Sequence, residues 1–260
     1  TNYAEVLKVN FLGTGTSQGV PVIGCDCMVC QSLDYRDKRL RTSIHIDVKG
    51  KSLVVDTGPD FRQQMLRAGI RKLDAVLFTH EHKDHTAGLD DIRPFNFAQK
   101  KDMPVFARQP VIEQIQREFA YIFSSNRYPG IPQVDCIEIT ESPFQFEGVS
   151  ITPIPVLHYK LPVLGFRIGD FSYITDANFI PDESLSKLEG TEVLVLNALQ
   201  QESHISHFTL EQAIEQALKI GAKTTYFTHI SHRLGLHQEV ERNLPEGIFL
   251  AYDGLQISIP

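Results

Sequence analysis

The sequence predicts an α/β chain in which mixed β-sheets are covered by helices, and three observations carry that expectation. Short β-branched and aromatic runs recur from end to end, helical periods separate the later strands of each half, and no Pro/Gly/Ser-rich linker or short repeat divides the chain. With 260 residues there is material for a large core, and α/β architectures of this length often form one unit. A single domain over 1–260 is therefore expected.

Taken in order, strands are expected at VLKVNFL, SIHIDV, SLVVD, AVLFT, PVFA, SITPIPV, LGFRI, FSYIT, EVLVLNA, TTYFT, IFLAY and QISI. SIHIDV and SLVVD flank Gly50 and read as a hairpin with a three-residue connection. Helices are expected at DFRQQMLRAG, with Asp60 as N-cap and Gly69 past the end, at PVIEQIQREFAYIF, and at TLEQAIEQALKIG between Thr209 and Gly221.

Composition is that of an ordinary globular protein, 42% hydrophobic and 22% charged. No apolar run reaches the roughly 18 residues of a membrane span. The start, TNYAEVLKVNFLGTG, has neither the basic nor the apolar region of a secretory signal, with a segment removed before Thr1 left open; no membrane partner is expected. Three clustered cysteines plus one stray do not look like a disulfide framework and favour the cytoplasm. A net charge of −7 argues against a long polyanionic partner. The only basic concentration, RDKRLR (residues 36–41), reads as a solvated loop because Asp34 and Asp37 are interleaved.

Two clusters carry chemistry. GCDCMVC places the thiols of Cys25, Cys27 and Cys30 within one loop, where a closed structural zinc site needs a fourth donor. That donor is Cys136, a histidine, or else no metal binds. Cys136 sits in VDCIEI, alternating with apolar residues, and reads as a core thiol. A tight thiol cluster in a reducing compartment binds metal more often than it forms disulfides. The second cluster is FTHEHKDHTAG after the apolar strand AVLF. It brings His80, His82, Asp84 and His85 to a strand end, and imidazole with carboxylate suits zinc, manganese or iron. Other strands also close on a carboxylate or an imidazole, Asp56 after SLVV, His158 after ITPIPVL, Asp176 after FSYIT and His229 after TTYFT; each alone reads as structural or solvent-facing, and Asp176 as an N-cap.

In this order the residues resemble the metallo-β-lactamase superfamily, whose signature is the H-x-H-x-D-H turn. The resemblance implies a four-layer αβ/βα sandwich of two mixed sheets flanked by helices. It also implies a dinuclear centre with His80, His82 and His158 on one divalent ion (Zn, Mn or Fe), Asp84, His85 and His229 on the other, and Asp176 between them. Asp56 would support the metal loop through hydrogen bonds. A hydroxide held between the ions is the implied nucleophile toward a phosphodiester.

FLGTGTSQGVPVIGCDCMVC looks like the start of one branch, the phosphodiesterases of the phosphonate-degradation type that cleave a cyclic phosphate on ribose; ribonuclease Z shares its opening strand and glycine turn. In that branch the cysteines hold a structural zinc with a histidine three residues after the last catalytic one, which in His229-Ile230-Ser231-His232 is His232. The family's auxiliary histidine before a late helix matches His207 better than His204. Asp84 and His207 are thus the catalytic candidates, His207 holding the phosphoryl group or protonating the leaving oxygen, with a local capping role as the plainer reading of either histidine.

The remaining features are read conservatively. Gly13, Gly15 and Gly19 match neither a dinucleotide fingerprint nor a P-loop and read as turn glycines. His45 and His237 read as structural or solvent-facing, and Asp90, Asp91 and Arg93 in LDDIRPFN as charges pairing at a helix start. The resemblance implies hydrolysis of a small or cyclic phosphodiester. Nucleic acid is disfavoured because no glycine- and basic-rich arm is present, and homodimerisation is left open. The alternatives are tRNA 3′ processing and a metal-dependent oxygenase of the pyrroloquinoline quinone biosynthesis type.

Overall fold

The computed structural model describes residues 6–260; residues 1–5, the first part of the stretch read as lacking a secretory signal, lie outside the described residues. Among the described residues, no helix is long and apolar enough to cross a membrane.

Strand β1 (Leu7–Gly13) pairs antiparallel with β2 (Ser43–Val48), which turns back into β3 (Lys51–Val55). The hairpin connection is two residues, Lys49-Gly50, rather than the three expected. Both have positive φ, 51° and 72°, the geometry a two-residue turn needs to match the strand twist, so Lys51 joins the strand. Beyond β3 the sheet continues in parallel through β4 (Ala75–Leu77), β5 (Met103–Ala107) and β6 (Val134–Glu138), while β14 (Gln256–Ile259) closes the other edge. The second sheet runs in the order β13 (Ile248–Leu250), β12 (Thr224–Thr228), β11 (Val193–Asn197), β10 (Phe171–Tyr173), β9 (Leu161–Ile168), β8 (Val149–His158), β7 (Phe144–Phe146).

Period-two alternation sorts the strand residues into layers. Leu53, Val55, Phe106 and Val195 point between the sheets, where they meet Phe166 and Tyr173. Val54, Val76 and Val105 point outward beneath α1 (Phe61–Ala68), α3 (Arg93–Gln99), α4 (Gln109–Glu118) and α5 (Ala120–Phe123). Leu194, Leu196 and Phe227 point outward on the other side, where Ala213 and Ala217 of α7 (Leu210–Ile220) cover them. The result is the expected four-layer sandwich of two seven-stranded mixed sheets with helices outside. The shorter helices are α2 (Lys83–Thr86), α6 (Asp182–Lys187) and α8 (His237–Arg242).

Several expectations are corrected. β6 and β7 are strands that no apolar run announced, because each is a sheet edge with charged or polar residues on its open side. Cys136, on β6, is only partly buried, though it packs against the outer core and burial lifts its thiol to about 11. The helix expected over PVIEQIQREFAYIF breaks at Phe119, whose φ of −115° and ψ of 43° are non-helical. Asp60 does not cap α1 with its side chain; it accepts from the Arg41 N–H at 2.9 Å instead. Thr209, in contrast, forms a full capping box with Gln212. Gly13 is not a turn glycine: it ends β1, and a Cβ there would lie 1.9 Å from the Arg41 carbonyl oxygen. Asp90 pairs with Arg93 at 3.8 Å as expected and also accepts from the Tyr121 hydroxyl. His45 contacts Ser52 Oγ through Nε2 at 2.7 Å, a structural role.

RDKRLR is not a solvated loop throughout. Arg39 is 4% exposed and donates to Thr14 Oγ1, the Ala251 carbonyl and His237 Nδ1. That last bond requires a lone pair on Nδ1, so buried His237 must be neutral. Burial, reinforced by Arg39 and Arg36, pushes its pKa down to about 3. The unfolded chain therefore binds a proton here near pH 6.5 that the folded chain refuses until about 3, and stability falls as pH drops through that window. His237→Gln is expected to flatten the acid side of the stability profile between pH 6.5 and 4, measured by urea unfolding beside the parent; identical slopes would refute the assignment.

Candidate metal centre

Five strand ends supply the site. β3 runs into Asp56, β4 into the turn from Thr79 to His85, β8 ends at His158, β10 leads into Asp176 and β12 into His229. Three of these residues turn the chain with a left-handed backbone that side chains rarely adopt: Asp56 (φ 66°), Asp176 (φ 61°) and His229 (φ 55°). Each costs about 1–3 kcal/mol and persists only when its surroundings hold it. Here the surroundings are explicit. Asp56 N–H donates to the Leu77 carbonyl at 2.8 Å. Asn197 clamps the backbone after Asp176, accepting from Ala177 N–H at 2.9 Å and donating to its carbonyl at 2.8 Å. Ile230, next to His229, donates to Thr14 and accepts from Thr16.

Hydrogen bonds orient the imidazoles. Asp56, fully buried, accepts from Thr79 N–H (2.8 Å), Thr79 Oγ1–H (2.7 Å) and His85 Nδ1–H (2.6 Å). Because the Thr79 hydroxyl proton is committed to Asp56, its oxygen accepts from His80 Nδ1–H at 2.9 Å. His158 Nδ1–H donates to the Ser206 carbonyl at 2.9 Å. Each bond fixes a tautomer with the lone pair on Nε2, the atom free to bind metal.

Those lone pairs converge. Donor atoms of His80, His82 and His158 lie within 4.8 Å of one another, as do those of Asp84, His85, Asp176 and His229. Asp176 faces both sets: Oδ1 is 3.2 Å from His85 Nε2 and from His229 Nε2, and Oδ2 is 3.6 Å from His80 Nε2. Nε2 of the buried His80, His85 and His229 has no hydrogen-bond partner despite these approaches, because the rings and carboxylates aim at common points rather than at one another. Orphaned buried nitrogens are costly, and a divalent cation at each set satisfies them. The donor chemistry therefore fits two metal ions.

Electrostatics agree. Burial would raise the pKa values of Asp84 and Asp176, but His85 and His229 outweigh it and hold both carboxyls well below their usual range, in the ionised form a metal requires. Burial and the nearby His85 push His80 down, and burial lowers His158, keeping both neutral. His207, only 8% exposed, lies beside the cluster with its ring 4.5 Å from His158 and 4.9 Å from His229, and burial drops its pKa to about 2. His204 is exposed and accepts from the Ser206 N–H in a local turn, so only His207 reaches the centre. An open pocket of about 520 Å³ adjoins the first set, lined by His82, His158, Tyr159, Lys160, Leu161, Ile205 and Ser206.

The thiols gather elsewhere on the same edge. Cys25, Cys27 and Cys30 Sγ lie 3.4, 3.4 and 3.5 Å from His232 Nδ1, and all remain free thiols. A tetrahedral zinc with ordinary Zn–S and Zn–N bonds gives S···N edges of about 3.5 Å, so this set also fits its ion. The Cys30 N–H, followed by His232, lowers Cys27 to about 6, and burial raises Cys30 to about 11; the cluster favours one thiolate at Cys27.

Residues 51–230 match the family model of the β-lactamase superfamily domain. The chain belongs to the metallo-β-lactamase superfamily. Among solved structures it resembles a diphosphatase of the PhnP family, with 42% identity, a TM-score of 0.92 and 98% of each chain covered. An octanoyltransferase of Porphyromonas gingivalis is 43% identical over 256 residues, 97% of this chain but 52% of that protein, so this chain spans about half that relative's length. Ribonuclease Z of Mycobacterium sp. (strain KMS) is 25% identical over 269 residues, covering 91% of this chain and 88% of the relative. As a metallo-β-lactamase superfamily member the chain carries every expected ligand position, and the structure brings all of them to one edge. Sequence reasoning missed Thr79, Ser206 and Asn197, which orient the ligands; only Thr79, adjacent to His80, carried a local signal.

Cys27→Ser is expected to lose one metal equivalent per chain by elemental analysis, and unchanged stoichiometry would count against the thiol site. Asp56→Ala should weaken retention of the edge metals by about 10–100-fold in chelator competition, since the orienting partner of a metal-binding histidine is lost.

Proposed function

We propose that this protein is a metal-dependent phosphodiesterase acting on a small phosphodiester. The observation that carries the reading is Asp176 set between two donor groups, His80, His82 and His158 on one side and Asp84, His85 and His229 on the other. When bound, two divalent ions acidify water and neutralise phosphoryl oxygens, the demands of phosphodiester hydrolysis. The chain's own part is to hold Asp84 and Asp176 ionised, to orient the imidazoles through Asp56, Thr79 and Ser206, and to present His207 to the substrate. His207 packs against both His158 and His229, where its ring can donate to a phosphoryl oxygen. Cys25, Cys27, Cys30 and His232 would hold a structural zinc that braces this edge.

A small substrate is favoured over RNA because the one basic stretch is internally consumed. Arg36 pairs with Asp34 at 2.7 Å, Arg39 is buried and Arg41 pairs with Asp60 at 3.4 Å, leaving little free charge for a phosphate backbone. The likeness to a PhnP-family diphosphatase supports a phosphoryl substrate.

The metal-loaded protein is expected to hydrolyse bis(p-nitrophenyl) phosphate and to leave precursor tRNA uncut. His82→Ala and Asp176→Ala should abolish turnover with metal loss, while His207→Ala should lower kcat by about 10²–10⁴-fold with metal content unchanged. Turnover persisting in both ligand variants, or efficient precursor-tRNA cleavage, would overturn the reading.

A further inference from the structure

The pocket of about 520 Å³ beside the metal centre has His82 and His158 in its lining, together with two large side chains left in water. Tyr159 is 49% exposed and Ile205 68%. They come from different parts of the chain, Tyr159 from the turn after β8 and Ile205 from the connection between β11 and α7, yet they meet at one opening. Other exposed aromatics, Tyr121, Tyr128 and Phe179, do not line it. Apolar and aromatic walls beside a few convergent polar groups are the ordinary make-up of a small-molecule site.

The two walls are held in place by one amide. Tyr159 takes a left-handed backbone (φ 57°), an unfavourable state for an aromatic residue that persists only when its surroundings impose it. Its N–H donates to Asn178 Oδ1 at 2.7 Å, and Asn178 Nδ2 donates to the Ile205 carbonyl at 3.5 Å. Backbone pairing fixes Asn178 in turn: its N–H donates to the Leu157 carbonyl at 2.9 Å, and Leu157 N–H donates to the Phe179 carbonyl at 3.0 Å. Both walls also adjoin the first donor set, since Tyr159 follows His158 and Ser206, next to Ile205, accepts from His158 Nδ1–H. A substituent directed from the metal centre over His82 and His158 enters the space that Tyr159 and Ile205 line.

We propose that Tyr159 and Ile205 form a subsite for a planar ring carried on the substrate's phosphoryl group, an aryl ester or a nucleobase, with Asn178 as the positioning residue that sets the two walls. This rests on the phosphodiesterase reading and deepens it. A ring offers flat faces to a tyrosine and to an aliphatic wall, whereas a small alkyl ester leaves both in water. The Lys160 ammonium, 5.4 Å from the Tyr159 ring centroid, stands at the same opening, where it can donate to the carbonyl oxygens or ring nitrogens of a heterocycle.

Calorimetric titration of the metal-loaded protein with three monoesters tests this: methyl phosphate without a ring, phenyl phosphate with one on the ester oxygen, and uridine 5′-monophosphate with one across a ribose. At least one ring-bearing ligand is expected to bind about 10–100-fold more tightly than methyl phosphate, the gain from one stacked ring. Phenyl phosphate ahead identifies an aryl ester, and uridine 5′-monophosphate ahead a nucleobase. Tyr159→Ala should cut the preference to less than about 3-fold, Tyr159→Phe should keep it, and Ile205→Ser should reduce it in part. Asn178→Ala should lower the same ratio while methyl phosphate affinity and metal content hold, which a merely structural role would not produce. Equal affinity of the parent for all three ligands, or a ring preference unaltered in Tyr159→Ala, overturns the subsite. A parent that binds the ring-bearing esters but leaves bis(p-nitrophenyl) phosphate intact overturns the phosphodiesterase reading instead.

Discussion

The buried Asp56 carboxylate is the interaction on which the metal centre depends. It sits fully enclosed at the end of β3 and accepts from the backbone and hydroxyl of Thr79 and from His85 Nδ1–H. One charged group thereby ties the end of β3 to the histidine-rich turn that follows β4. Enclosure raises the cost of the charge, and three donors offset it, so the arrangement is stable only when complete. Through Thr79 the same carboxylate also sets the tautomer of His80. Two of the proposed metal histidines, one in each donor set, are thus oriented from one point.

The rest of the fold serves to bring three more strand ends, those of β8, β10 and β12, to that point. In parallel stretches the strands all finish on the same edge, and here both sheets contribute, with His158, Asp176 and His229 coming from the second. Left-handed backbone at Asp56, Asp176 and His229 is what turns each side chain into the cleft instead of along its strand. The hydrogen bonds of Leu77, Asn197, Thr14 and Thr16 hold these turns, so strain at the centre is met by ordinary pairing around it.

The thiol loop belongs to the same economy of position. Residues 14–16 pair with Ile230, between His229 and His232, so the loop that carries the cysteines is stitched to the loop that carries His229. Behind it, Arg39 joins Thr14, Ala251 and His237, and Asp253 accepts from Thr14 and Leu40. This buried polar network anchors the long connection between β1 and β2 to the C-terminal part of the chain, leaving the thiol tip to be fixed by its own donors.

The chain's sequence determined which strands are central and which donor residues close them, because both follow from local chemistry. Apolar runs such as SLVV and VLVL can only be buried strands, and histidines and aspartates at their ends can only converge at a sheet edge. The edge strands β6 and β7, the break at Phe119 and the burial of Arg39 were not legible, since each depends on what packs alongside rather than on the residues themselves. The same holds at the site: His82 and His232 were readable from spacing and resemblance, whereas Asn197 and Ser206 gain their roles from backbone groups distant in sequence. His207 was preferred to His204 from its place before the helix, but only the tertiary structure buried one ring against His158 and His229 and left the other in water. Ligand identity is written in side-chain chemistry; ligand orientation is decided by hydrogen bonds that exist only once the two sheets have met.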